Sequence, residues 1–148
     1  MKLDDMTLDI EQHIEVEGPI AEVFKSTLYR FGEGNKGPDG QSLEMKLEEF
    51  AGGRWFRDRA NGAQHFWGHV QVLKAPVLLE ISGPMFMSYP AINHLEIRLE
   101  ETAGVTKVTL RHRAIGMIDP QHRTGLKHGW GLMLDAVKAD FSKSAARA

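Results

Sequence analysis

The chain has 148 residues, of which 42% are hydrophobic and 26% charged, and its formal net charge at pH 7 is -2. This composition is typical of a globular chain with one core, so we expect residues 1–148 to form a single domain. Lys and Arg form no basic run, which argues against nucleic-acid binding, and the absence of cysteine excludes disulfides, thiolate nucleophiles and cysteine-ligated zinc.

The N-terminal segment MKLDDMTLDI carries acidic residues and no long apolar stretch, so it resembles neither a signal peptide nor a membrane anchor. The most apolar segment, APVLLEI, is far shorter than the roughly 20 residues that cross a bilayer. We therefore expect a cytoplasmic protein that does not bind membranes.

The pattern of apolar residues predicts the element order β-α-β6-α. Residues 6–17 alternate as a strand, Gly18-Pro19 ends it, and Ile20, Val23, Phe24 and Leu28 then follow at helical spacing. From residue 42 the period becomes two, in six strand-like segments joined mainly by short turns, which predicts an antiparallel meander. These segments are 42–50, 54–60, 63–74, 76–82, 92–101 and 105–115.

A long terminal helix is predicted after Asp119-Pro120, with Asp as the N-cap and Pro in the first turn. Its apolar stripe consists of Leu126, Trp130, Met133, Leu134, Val137 and Phe141. A curved seven-stranded antiparallel sheet can wrap around such a helix, burying one sheet face and leaving a cavity between them. The predicted fold class is therefore α+β.

The stretch RWFRDRANGAQHFWGH, residues 54–69, mixes aromatic and charged side chains around Asn61-Gly62. Asn-Gly predicts a type I′ hairpin with residue 60 opposite 63, so that 55 pairs with 68, 56 with 67, 57 with 66 and 58 with 65. This register predicts an inner face of Trp55, Arg57, Phe66, Gly68, Val70 and Val72. The predicted outer face consists of Phe56, Asp58, His65, Trp67, His69 and Gln71.

Metal binding by this hairpin is not expected. His65 and His69 are four residues apart on a strand, which separates them by about 13 Å along it. The sequence instead favours a cross-strand contact between His65 and Asp58.

Two polar residues are predicted to point inward. Arg57 lies diagonal to Glu49 if 51–53 is a three-residue connection, which predicts either a structural ion pair or an anion-binding arginine. His112 shares a face with Val108 and Leu110 and is either a hydrogen-bonded core residue or a functional one. No Ser-His-acid or paired-carboxylate pattern is present, so His112 is only a weak candidate for catalysis.

Two further features indicate a pocket. Gly125, Gly129 and Gly131 lower the helix propensity of the terminal helix but leave room beside it. The loop 83–90 is predicted to expose adaptable apolar groups, either as a portal or as a plug at the end of the barrel. These groups are Met85, Phe86, Met87 and Tyr89.

Several segments together resemble the SRPBCC (START-like, birch-pollen-allergen-like) superfamily, including MKLEEFAGGRWFRD, VTLRHRAIG and HRTGLKHGWGLMLDAVK. Within it, the chain is most similar to bacterial proteins related to the C-terminal domain of the activator of the 90-kDa heat-shock protein ATPase. The resemblance implies a helix-grip fold with a deep apolar cavity between the curved sheet and the C-terminal helix. Members of this superfamily carry lipids, polyketides or plant hormones, act as cyclases or hydrolases, or serve as chaperone partners.

These observations lead to the hypothesis that the protein binds a small hydrophobic or amphipathic molecule, without a cofactor, and that Arg57 and His112 orient its polar end. The predicted ligand-binding residues are Met45, Glu49, Trp55, Arg57, Phe66, Val70, Met85, Met87, Tyr89, His112, Trp130 and Met133. One alternative is an enzyme that uses His112 as acid or base near Tyr89 or Glu49. Another is a protein-interaction module, including a possible homodimer, that uses Phe56 and Trp67 on the outer face.

Overall fold

Alternating apolar and polar side chains build one seven-stranded antiparallel sheet, in a computed structural model that describes residues 2–147 and the side chains of residues 2–142. The strands are β1 (Thr7–Glu17), β2 (Met45–Leu47), β3 (Arg54–Asp58), β4 (Gln64–Lys74), β5 (Leu78–Gly83), β6 (Ala91–Thr102) and β7 (Val105–Gly116). Their order in the sheet is β1-β7-β6-β5-β4-β3-β2, so the chain closes the meander by returning β7 to β1.

Three helices accompany the sheet: α1 (Leu3–Met6), α2 (Ile20–Phe31) and α3 (Pro120–Arg147). The N–H of Gln121 donates to Asp119 Oδ1 over 2.8 Å, so Asp119 caps α3 as its position before Pro120 predicts. The predicted order β-α-β6-α is confirmed, with the one-turn α1 added before β1.

The core lies between the inner face of the sheet and the two longer helices. On β6 the inward Leu95, Ile97 and Leu99 are buried and alternate with outward polar residues, as a sheet with one wet face requires. Helix α3 packs on β1 and on α2, and it buries Trp130 and Leu134 in the same core. No helix in the described part of the chain is long and apolar enough to cross a membrane.

The hairpin turn at Asn61-Gly62 differs from the prediction. The Arg59 N–H donates to Ala63 O over 3.0 Å, so residues 60–62 form a three-residue loop. Only Gly62 has a positive φ, of 84°, whereas a type I′ turn needs two such residues. The prediction of type I′ was therefore wrong, and the pairing beside the turn is shifted by one residue.

A β-bulge at Trp67 cancels this shift. Beyond it Trp55 pairs with Gly68 as predicted, whereas nearer the turn Phe56 pairs with Phe66 and Arg57 with His65. Adjacent residues at a bulge can point to the same side of the sheet, and Trp67 turns inward beside Gly68. Trp67 is buried and Phe66 is exposed, which reverses the predicted orientation of both.

Two further side-chain predictions fail in β3 and β4. His65 Nδ1 accepts a hydrogen bond from Trp67 Nε1 over 3.2 Å and does not contact Asp58, which binds Lys46 instead. A second irregularity, between Val70 and Val72, places Val72 opposite Glu80 and not on the inner face with Val70.

The prediction of an ion pair between Glu49 and Arg57 is also wrong. Strand β2 ends at Leu47, and Met45 is the residue opposite Arg57, so the register lies two residues away from the predicted one. Arg57 Nε donates to Leu43 O over 2.7 Å, and Glu49 is exposed in the turn that follows β2. The neighbouring Glu48 forms an ion pair with Arg54, with 2.8 Å between Glu48 Oε1 and Arg54 Nε.

Candidate functional site

An apolar cavity of about 320 Å³ lies between α3, the inner faces of β3 and β4, and two loops. The β-strands supply Trp55 and Trp67, and the loop after β5 supplies Phe86. Helix α3 supplies His122, Gly125, Leu126, Gly129, Trp130, Leu132 and Met133, and the connection from α2 to β2 supplies Asn35, Lys36, Gly37, Pro38 and Leu43. The volume of the cavity falls at the lower end of the roughly 300–1,000 Å³ typical of small-molecule sites.

All three tryptophans of the chain line this cavity. Trp55 and Trp67 meet edge to face with their ring centroids 5.0 Å apart. Their indole N–H groups are already used: Trp55 donates to Phe31 O, Trp67 to His65 and Trp130 to His112. The tryptophans therefore offer the cavity aromatic surface and no free hydrogen-bond donor.

Two helical glycines make room on the α3 side. A Cβ built at Gly125 or Gly129 meets no atom within 4 Å, so both positions border open space. Gly131, by contrast, lies outside the cavity lining, and a Cβ there would come within 3.7 Å of Gln12 Oε1. The predicted role of the glycines therefore fits the geometry of Gly125 and Gly129.

His112 is enclosed in a buried hydrogen-bond network. Its Nδ1 accepts from Trp130 Nε1 over 3.0 Å, so the ring proton lies on Nε2 and is donated to Asn93 Oδ1 over 2.6 Å. The Asn93 amide in turn donates to the carbonyls of Gly83 and Pro84. Burial lowers the pKa of His112 to about 4. His112 does not line the cavity and has no ring nitrogen left for a substrate.

The mouth of the cavity carries a second histidine. Tyr89 Oη lies 2.8 Å from His122 Nδ1, and the two rings stack with centroids 5.6 Å apart. Phe86 meets the same imidazole edge to face at 5.0 Å. Lys36 lies exposed at the rim, on the connection from α2 to β2. Polar side chains are therefore few in an otherwise apolar lining.

The predicted site residues separate into four groups. Trp55, Trp130 and Met133 line the cavity, whereas Met45, Val70, Met85 and Met87 are buried core residues that do not line it. The exposed loop positions expected for Met85 and Met87 are therefore wrong. Tyr89 reaches the site through His122, and Phe66, Glu49, Arg57 and His112 lie outside the lining. A role in ligand binding stays a prediction for all of them.

Glu49 borders a different feature. It lies in an open groove of about 720 Å³ between α2 and the β2–β3 hairpin, together with charged residues such as Lys25, Glu48 and Arg54. Hydrogen bonds from Arg54 lower the pKa of Glu48 to about 2, so this groove contains ionised groups already paired with each other. The smaller apolar cavity is the better candidate site for a ligand.

Sequence reasoning missed the polar residues that the cavity does contain. His122 follows Pro120 by two residues, and this position on the first turn of a helix facing the loop 83–90 was a usable signal. Residues 35–43 have no periodicity, so nothing in their pattern predicts that they fold over the cavity. Trp67 was missed because of the register error described above.

A separate cluster of possible metal ligands lies on the outer sheet face. Glu80, His94 and Glu96 bring one ligand atom each to within 4.8 Å of one another. His94 Nε2 lies 2.8 Å from Glu80 Oε1, and Glu96 pairs with both Arg98 and Arg113. Glu96 already has two arginine partners, and Glu80 is hydrogen-bonded to His94, so we describe the cluster as a polar network of the outer sheet face.

Solved structures with similar folds come from several bacteria. An uncharacterised protein from Rhizobium leguminosarum is 17% identical, with a TM-score of 0.64, and the match covers 93% of this chain and 97% of that one. Protein NE0264 from Nitrosomonas europaea is 17% identical with a TM-score of 0.66, over 94% and 97% of the two chains. At these identities the likeness shows the fold alone.

A third structure is StfQ, a di-domain ARO/CYC from the steffimycin biosynthetic pathway. It is 14% identical with a TM-score of 0.68, and the match covers 99% of this chain but only 54% of StfQ. No curated protein matches the chain.

Most of the chain matches one known protein family. Residues 38–141 match the family described as Activator of Hsp90 ATPase homolog 1-like protein, which covers strands β2–β7 and most of α3. With this match and the sheet that packs against the long terminal helix, the chain belongs to the Activator of Hsp90 ATPase homolog 1-like family, within the SRPBCC superfamily.

Proposed function

We propose that the protein binds a small amphipathic molecule in the cavity of about 320 Å³ beside α3. The observation that carries this proposal is the convergence of all three tryptophans on one space with few polar side chains in its lining. Large aromatic faces with few polar groups are typical of sites that bury an apolar ligand and orient it by one end.

The polar end of the ligand would meet His122, and not Arg57 or His112. His122 lines the cavity wall. Neither Arg57 nor His112 lines the cavity, and His112 is saturated by Trp130 and Asn93. This arrangement also weakens the enzyme alternative, because His112 cannot exchange a proton with a molecule that it does not reach.

The test compares two leucine substitutions one residue apart on α3. Gly129→Leu adds a side chain where the cavity is open, whereas His128→Leu changes an exposed residue that does not line it. Titration with the fluorescent probe 8-anilinonaphthalene-1-sulfonate should give at least tenfold weaker binding for Gly129→Leu and unchanged binding for His128→Leu. Equal binding by both variants would place the probe elsewhere and contradict the proposal.

Native mass spectrometry of protein purified from the organism that makes it gives an independent readout. A co-purifying small molecule that is absent from the Gly129→Leu variant supports the proposal. A native preparation without bound mass, together with a wild-type protein that fails to bind the probe, would refute it.

A protein-interaction role is a second candidate, favoured by a different observation. Ile92 and Ile115 are directly opposite on β6 and β7, and both are more than half exposed, at 68% and 55%, on the outer face. This patch takes the place of the predicted Phe56 and Trp67 surface, because Trp67 is buried. Light scattering that gives a mass near 16.6 kDa at every concentration would exclude a homodimer through this face.

A further inference from the structure

The His122 ring is held in one position at the cavity mouth. Tyr89 stacks on it at 5.6 Å and 23°, and Phe86 packs edge-on at 5.0 Å and 89°. Pro120 begins α3 two residues earlier, so the histidine sits on the first turn of a long helix. An imidazole fixed from two sides presents its remaining nitrogen in a defined direction.

The Tyr89 contact bears on which nitrogen of His122 carries the proton. Burial raises the pKa of Tyr89 above its ordinary value, and this effect is larger than that of a hydrogen bond to the backbone of Asp119, which lowers the pKa. The phenol is therefore protonated at neutral pH, so its O–H can donate to Nδ1 over 2.8 Å. The imidazole proton then lies on Nε2, to which no hydrogen bond is formed by any group within residues 2–142.

Other donors around the cavity are engaged or distant. The three indole N–H groups bind Phe31, His65 and His112, and the Asn35 amide donates to Phe31 O over 3.5 Å. Lys36 is a solvated cation at the rim. Among the aromatic side chains that line the cavity, His122 is thus the one with a ring nitrogen, Nε2, that has no hydrogen-bond partner within residues 2–142.

We propose that His122 donates a hydrogen bond from Nε2 to an oxygen acceptor on the ligand, and that Tyr89 is the positioning residue that keeps the proton on that nitrogen. This inference rests on the proposed function and narrows it. The ligand has an apolar, ring-sized body and a carbonyl or carboxylate oxygen at one end, and a pure hydrocarbon is a poor ligand because it leaves this donor unpaired.

Calorimetric titration with two probes of similar shape tests the hydrogen bond. 1-Acetonaphthone carries a carbonyl oxygen, and 1-ethylnaphthalene lacks it. The wild-type protein should bind the ketone about tenfold more tightly, as one buried hydrogen bond predicts. His122→Leu should remove this preference, and His122→Gln, which keeps an amide donor, should retain part of it. Tyr89→Phe should reduce the preference a few-fold, because the phenyl ring stays stacked on His122 but no longer fixes the tautomer of the imidazole.

His128→Leu is the matched control, because His128 is exposed on α3 and does not line the cavity. This change should leave the preference for the ketone over the hydrocarbon unchanged. A preference that persists in His122→Leu, or that disappears in His128→Leu, overturns the assignment of the donor. A preference lost in His122→Leu but complete in Tyr89→Phe overturns the positioning role of the tyrosine.

Failure of this inference differs from failure of the proposed function. Equal binding of both probes by wild type and by His122→Leu, with weaker binding by Gly129→Leu, keeps the cavity as the site and rejects the donor. No binding of either probe by the wild-type protein, together with no effect of Gly129→Leu on the sulfonate probe, rejects both.

Discussion

His112 and its partners show how one buried polar residue can organise a core. The imidazole receives one hydrogen bond from Trp130 on α3 and gives one to Asn93 on β6. Asn93 then fixes the carbonyls at the end of β5, where the loop towards Phe86 begins. Because each polar side-chain atom has a partner, the network orients the wall formed by Trp130 at little desolvation cost.

The first prediction concerns the pH dependence of stability. The folded pKa of His112, about 4, lies below its unfolded value near 6.5, so between these values the unfolded chain binds more protons. The free energy of unfolding should therefore fall as the pH drops from 6.5 towards 4, by about 3 kcal/mol from this residue alone. Urea unfolding at a series of pH values measures it.

His112→Gln provides the comparison for this experiment. The variant should be less stable at pH 7, because glutamine does not reproduce both hydrogen bonds, but its stability should fall less between pH 6.5 and 4.5. The carboxylates titrate in both proteins and cancel in the difference. Parallel pH curves for the two proteins would rule out His112 as the source.

At the scale of elements, the β3–β4 hairpin shows what pattern reasoning can and cannot predict. Alternation correctly predicts both strands, since it reflects which side chains leave water. It does not distinguish a type I′ turn from a three-residue loop, because Asn61-Gly62 suits either, and the two differ by one residue in register. That single residue decides whether Phe66 or Trp67 faces the core.

The glycines of α3 give a prediction at this scale. Gly129→Ala and Gly125→Ala should each raise the free energy of unfolding by up to about 1 kcal/mol, because alanine favours the helix and its Cβ meets no neighbour. Denaturant unfolding measures the gain. In contrast, Gly68→Ala should destabilise, since a Cβ there would lie 2.8 Å from Ser82 O. A loss of stability at Gly129→Ala would show that the helix is strained there.

A second prediction at this scale concerns how α3 is held against α2. Arg30 makes two hydrogen bonds to Asp140, of 2.5 and 2.9 Å, and Ser26 adds a third of 3.0 Å. These side chains are only partly exposed, so Asp140→Asn should cost about 1–3 kcal/mol, more than a typical surface ion pair. Arg54→Met, which breaks the exposed pair with Glu48, should cost much less. Equal losses would show that the α2–α3 pair is as weak as a solvated one.

For the whole molecule, the predicted architecture was right, and three of the predicted ligand-binding residues line the cavity. Trp55, Trp130 and Met133 could be assigned to the cavity because strand and helix periodicity fix the direction of their side chains. His122 and Lys36 could not, because their place depends on how the connection from α2 to β2 and the loop after β5 fold over α3. Aperiodic segments carry no such directional signal, although they form much of the mouth.

Ligand binding should appear in the stability of the whole molecule, because a ligand that binds only the folded chain shifts the folding equilibrium. At a hundredfold excess over its dissociation constant, 1-acetonaphthone should add about 2.7 kcal/mol, which raises the melting temperature by about 5–10 °C. Thermal unfolding with and without the ketone measures this shift. His128→Leu should keep the shift and Gly129→Leu should lose it, because only the second leucine occupies the cavity. A shift of equal size in both variants would mean that the ketone stabilises the fold from another surface.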